Sequence, residues 1–326
     1  MRRQARDWSR LGLVSTVACA TATLPLLAAA PAPTKLRFAW PETVKARVSY
    51  TSDRTRVMQN GGTSTTHTVT AYDLNVSRRG DQIVIARRLS ETPREPKPPG
   101  VFKGPDGKPL PSLDPLQALI DGVAERIPVL VVDGGGNLVK VEGTDPIRAE
   151  LEKILASAPL PRQQRQTVRA IFTDAGLAAI AKQQWSVWVG FWNGLALEPG
   201  RPLTQRRRGK FPGTEYVVDL VVEARLAGKV ACDASDTARR CVELHMVSRP
   251  DTEDVARTIE RLNLSATAGV RNLTMEQSFV VVAEPDTLLP HRCTRSLAVE
   301  IEHAPGSAGA PRSQKATETW TFDYAP

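Results

Sequence analysis

The chain has 326 residues, 41% of them hydrophobic, and a formal charge of +8. That apolar content can build a core and excludes a disordered chain. Arginine supplies 32 of the 43 basic residues. They form no stripe interleaved with aromatics, which argues against a nucleic-acid surface.

Residues 1–30 read as a secretory signal peptide. Arg2, Arg3, Arg6 and Arg10 form a positive region, an interrupted apolar stretch runs from Leu11 to Leu27, and Ala28-Ala29-Ala30 closes it. The stretch is too short and too broken by Thr and Pro for a transmembrane helix. Arg2-Arg3 lacks the continuation of a twin-arginine signal. Cys19 follows Thr16-Val17-Ala18 rather than the leucine-bearing box of a lipoprotein. Cleavage near Ala29 or Ala30 is therefore expected in place of a lipid anchor at Cys19. The mature chain, at about +5, is exported to the periplasm or beyond, with no transmembrane segment.

A linker, residues 31–34, leads to a single α+β domain over 35–326. Its first part, 35–91, reads as strands. Val44, Ala46, Val48 and Tyr50 alternate with polar residues, and turns at Asn60-Gly61-Gly62 and Arg79-Gly80-Asp81 separate two further strands. Pro93 to Pro111 reads as an exposed Pro/Gly/Lys loop.

The middle, 114–194, takes helical period. Asp114-Pro115 and Asp145-Pro146 are helix starts, each followed by an apolar face: Leu116, Leu119, Ile120 and Val123, then Ile147, Leu151, Ile154 and Leu155. Between them lies a hairpin, Val129–Val132 and Leu138–Val141, around Asp133-Gly134-Gly135-Gly136-Asn137. That glycine run lacks the Gly-Lys-Ser/Thr of a phosphate loop and leads into a strand, so it reads as a turn. Short helices follow over 161–172 and 174–183. Trp185, Trp188, Phe191 and Trp192 then cluster, with the tryptophans on one face of a helix. They either anchor the helices on the sheet or line the wall of an apolar-ligand pocket.

Strand period returns over 203–326. Tyr216, Val218, Leu220, Val222 and Ala224 share a face, and three more strands close the chain about 272–284, 290–302 and 317–324. Arg206-Arg207-Arg208 with Lys210 reads as a solvated loop or strand edge. Asp251 to Leu262 is a helix whose acids sit at its N-terminus, where the dipole favours them. Cys232 and Cys241 flank a polar turn between strands and are expected to form a disulfide. Cys241–Cys293 is the rival pairing.

The four histidines show no ligand spacing with the cysteines, so no metal or cofactor is expected. No Gly-x-Ser-x-Gly elbow is present, and no catalytic residue stands out. Strands, helices and strands again give a largely antiparallel curved sheet, partly closed and half-barrel-like, with helices on its concave face. In order of elements and export signal the chain resembles the bacterial periplasmic lipoprotein carriers, half-barrel proteins that hold acyl chains. That resemblance implies a non-enzymatic envelope protein binding an apolar small molecule. A structural or interaction role with an envelope protein, and a hydrolase with a non-contiguous site, are the alternatives.

Overall fold

Alternation of apolar and polar side chains builds the sheet. In the computed structural model, residues 32–58, 61–89, 102–103, 128–157, 161–210, 217–233, 240–265, 269–304 and 311–324 are described. The expected signal peptide over residues 1–30 with Cys19, the expected helix about Asp114–Val123 and nearly all of the expected Pro93–Pro111 loop lie outside them.

The strands are β1 (Thr34–Lys35), β2 (Val44–Met58), β3 (Thr63–Arg79), β4 (Gln82–Leu89), β5 (Phe102–Lys103), β6 (Val129–Asp133), β7 (Leu138–Glu142), β8 (Ala196–Leu197), β9 (Leu203–Lys210), β10 (Val217–Ala231), β11 (Arg240–Pro250), β12 (Val270–Ala283), β13 (Pro290–His303) and β14 (Pro311–Tyr324). Eleven strands run in the order β7-β6-β4-β3-β2-β14-β13-β12-β11-β10-β9, with β5 pairing β3 and every pairing antiparallel. The sheet is curved and not closed. Phe102 and Lys103 therefore form a short strand where the sequence reads as loop. The arginine run lies on β9, an edge strand, where charge discourages further strand addition.

Side-chain period two sends Val44, Ala46 and Val48 of β2, Tyr72, Leu74 and Val76 of β3, and Trp320 and Phe322 of β14 to one face, all buried. This inner face carries the main core. Segment Leu36–Trp40 enters the same core. Leu36 N–H donates to the Leu195 carbonyl and Trp40 Nε1 to the Leu288 carbonyl.

Helices α1 (Thr144–Ser157), α2 (Arg162–Ile171) and α3 (Asp174–Trp185) follow β7. The sequence reading gives their apolar faces to the sheet. Instead Ile147, Leu151, Leu155, Val168, Phe172 and Leu177 form a small core of their own. Only the end of α3, from Ala181 to Trp185, reaches the main core. The chain then continues as a π-turn, Ser186–Gly190, rather than as α-helix. Its extra residue per turn rotates Trp188 and Trp192 relative to Trp185.

Helix α4 (Thr252–Arg261) packs elsewhere on the inner face, with Val255 and Ile259 against Val218 and Val270. Its acids are placed as the helix start requires. Asp251 accepts from the Glu253 and Asp254 amides, and Asp254 accepts from the Asp219 amide. Among the described residues no helix is long and apolar enough to cross a membrane.

Candidate functional site

The tryptophan cluster fills the core. Trp188 and Trp192 are fully buried, Trp185 is buried, and Phe191 is partly buried with its ring 5.1 Å from that of Phe279. Trp188 stands edge-on to Trp320 and Phe322 at 6.5 and 5.1 Å. The indoles are enclosed by protein, so they close one end of the inner face.

The hairpin turn of β6 and β7 locks this end. Asp133 Oδ1 accepts from the Gly135 and Asn137 amides, which holds the turn. Gly136, at φ +81°, presents its carbonyl to Trp185 Nε1 at 3.0 Å, and the Gly135 carbonyl accepts from Asn193 Nδ2 at 2.6 Å. Trp40, Trp185 and Trp192 each donate their indole N–H to a backbone carbonyl. Trp188 Nε1 is buried and has no acceptor.

Beside Trp188 lies Arg87, inward on β4 opposite Leu74. Its guanidinium carbon is 4.8 Å from the Trp188 ring centre and 5.6 Å from that of Tyr72. Nη1 donates to Gln184 Oε1. Nε and Nη2 are shielded from solvent and have no acceptor, although the residue as a whole is only partly buried. The Tyr72 hydroxyl lies close to Arg87 and Gln184 without hydrogen-bond geometry to either. Burial pushes the Tyr72 phenol up to about 12 and the Arg87 guanidinium down. Burial also raises the free Cys293 thiol nearby.

Past Trp320 the inner face changes character. The same parity continues through Glu318 and Gln314 of β14, Arg295, Leu297 and Val299 of β13, Met275 and Gln277 of β12, and Ser52 and Arg54 of β2. All are half-buried. Arg295 is satisfied: Nη1 donates to Glu318 Oε2 at 3.0 Å, and Gln277, with its amide oxygen turned toward the guanidinium, accepts from Nε and Nη2. Tyr50 donates to Glu318 Oε1 at 3.5 Å, and burial followed by the Glu318 charge raises its phenol. Arg54 Nε is buried without an acceptor. Helix α4, with Leu273 and Ile301 packed beside it, bounds the far end. Leu297, Val299 and Met275 thus lie on a half-buried saddle between two filled ends.

Cys232 and Cys241 are joined by a disulfide, and Cys293 is free and buried. The structure brings His291 beside that disulfide, its nitrogen and the two sulfurs all within 4.8 Å of one another, a grouping that sequence spacing does not show. Sulfurs joined in a disulfide offer no thiolate to a metal. Two other strand histidines are paired on the outer face, His67 with Asp53 at 2.6 Å and His245 with Glu243 at 2.7 Å. A cleft between the helices is lined by charges that satisfy one another, with Arg169 bound to Glu152 and Arg148 to Asp145 and Asp174.

Sequence reasoning missed Arg87, Tyr72 and Gln184. The signal was present in the strand parity, because Ile83, Ile85 and Arg87 share one side of β4. Gln184 carried none.

No protein-family model and no curated protein matches this chain. Among solved structures it is similar to lipovitellin, whose structure is described for its lipid–protein interactions. The identity is 10% and the TM-score 0.39, over 87% of this chain and 25% of that one. The chain thus spans about a quarter of the lipovitellin chain's length. It is also similar to an outer membrane channel from Pseudomonas putida F1, at 10% identity and a TM-score of 0.22, over 88% of this chain and 97% of the channel. Neither likeness is close enough to carry a functional argument.

Proposed function

We propose that the protein is a non-enzymatic, exported component of the cell envelope that holds an apolar, lipid-like molecule on the inner face of its sheet. One observation carries the reading. Leu297, Val299 and Met275 point the same way as the core but stop half-buried, between the tryptophan end and helix α4. Half-buried apolar side chains between packed ends favour an apolar ligand over water. The signal-like N-terminus and the disulfide support an oxidising compartment outside the cytoplasm.

Native mass spectrometry of protein purified from its own envelope tests the reading, together with titration of a fluorescent fatty-acid analogue. A co-purifying apolar molecule and saturable probe binding are expected. Leu297→Glu with Val299→Glu should weaken the probe at least ~10-fold, the order of losing one buried apolar side chain's contribution. Circular dichroism should remain native. Failure of the unmodified protein to bind the probe or to carry any molecule would overturn the reading.

A further inference from the structure

Four buried donor groups on three neighbouring side chains lack acceptors: Arg87 Nε, Arg87 Nη2, the Tyr72 hydroxyl and Trp188 Nε1. Tyr72 and Trp188 are at least nine-tenths buried, at 3% and 0% exposure. Their ring centres lie 5.6 and 4.8 Å from the guanidinium carbon. Buried polar groups are almost always hydrogen-bonded, and buried charges are almost always paired. Among the described residues no carboxylate is paired with Arg87. Its one hydrogen-bond acceptor, Gln184, is neutral.

Arg295 shows what the same sheet does with an arginine that it satisfies internally. Glu318 and Gln277 take up its Nη1, Nη2 and Nε. Trp40, Trp185 and Trp192 show the same for indoles. Arg87 and Trp188 depart from both patterns at one place. Arginine is an unneutralised cation there, and its planar fork suits a two-oxygen anion.

We propose that Arg87, Tyr72 and Trp188 form a binding site for an oxyanion, the headgroup of an anionic amphiphile whose tail lies along the inner face. The second half of this statement rests on the function proposed above. The site lies at the filled end of the face, beside Trp188, whose ring contacts those of Trp320 and Phe322. From Trp188 the face runs through Trp320 to Tyr50, whose rings are 5.2 Å apart, and on to Glu318, Arg295 and Leu297. A carboxylate there would accept from the orphaned donors and neutralise the guanidinium. No covalent step is involved.

The test uses three probes of one series on the delipidated full-length protein: dodecanoate, dodecanol and acetate. Dodecanoate is expected to bind at least ~10-fold more tightly than dodecanol, as a charge-assisted hydrogen-bond pair provides. Arg87→Met should erase that preference and leave dodecanol binding unchanged. The ligand-free variant should melt no lower than the parent, because an unpaired buried charge has been removed. If Arg87→Met does not fold, Tyr72→Phe reads the same preference, and a several-fold reduction is expected. Equal binding of dodecanoate and dodecanol to the parent would overturn the headgroup site and leave the apolar reading standing. Arg87-dependent stabilisation by acetate without dodecanol binding would overturn the amphiphile in favour of a small free anion. An Arg87→Met variant that melts well below the parent and keeps the preference would make Arg87 a structural stack on Trp188, and the proposal would fall.

Discussion

The indole of Trp185 donates to the carbonyl of Gly136 across 3.0 Å, tying the hairpin turn of β6 and β7 to the end of helix α3. The turn therefore serves as a clamp on the core. Gly136 meets two demands at once. Its φ is +81°, and an added Cβ would lie 2.5 Å from the Cβ and Cγ of Phe38.

Gly136→Ala should consequently destabilise the protein by about 2–5 kcal/mol, combining left-handed strain with overpacking. Urea unfolding measures this. Gly194→Ala serves as a control, because its φ of +83° gives the strain while nothing lies within 4 Å to clash. Equal losses in the two variants would show that the Phe38 contact is unimportant.

Trp188→Ala removes a fully buried indole wedged against Trp320 and Phe322. A loss of about 3–5 kcal/mol is expected from the cavity. Trp188→Phe should recover much of it, since most of the ring volume returns. A loss below about 1 kcal/mol for the alanine variant would contradict the packing described.

Reducing the Cys232–Cys241 bridge, whose cysteines are nine residues apart, should lower stability by roughly 2–3 kcal/mol on the chain-entropy estimate. Non-reducing peptide maps should show that pair alone. Cys293, buried and with its thiol raised, should react with iodoacetamide only after unfolding. Labelling of Cys293 in the native protein at the rate of an exposed thiol would contradict its burial.

Tyr72 gives stability a pH dependence. Its phenol faces Arg87, Gln184 and Cys293 and is pushed up to about 12. The unfolded chain releases this proton near pH 10, the ordinary value, while the folded chain keeps it. The contribution is complete below about pH 10 and is lost as pH rises towards about 12, amounting to roughly 2–3 kcal/mol. Denaturation series from about pH 9 upward should fall more steeply for the parent than for Tyr72→Phe. Parallel curves would remove Tyr72 from the account.

Much of the sheet was legible because one face is buried, so each strand has to alternate. Val44, Ala46 and Val48 announce their parity without help. The α+β arrangement followed from the change of period along the chain. What stayed hidden depends on distance. Nothing in the text of β2 names β14 as its neighbour. The π-turn over Ser186–Gly190 follows from tertiary packing, while the spacing of Trp185, Trp188 and Trp192 fits a regular helix equally well. The donor cluster was missed for a related reason. Arg87 and Arg88 look alike in sequence, yet parity turns Arg87 inward under Trp188 and leaves Arg88 exposed.

The pairing of β2 with β14 also sets an order of events. Strands β2 to β7 come from residues 44–142 and strands β9 to β14 from residues 203–324, so each half is assembled from segments close together in the chain. Among the described residues the halves are joined within the sheet only where β2 pairs with β14, across contacts such as Arg56 with Gln314, 258 residues apart. Closing so long a loop is slow, and β14, which closes it, is the last strand of this sheet in chain order. A nascent chain can pair β2 to β7 and β9 to β13 while the edge of β2 stays open. Joining them awaits the final strand, so the interval before joining is when this protein is most exposed to pairing with the wrong partner.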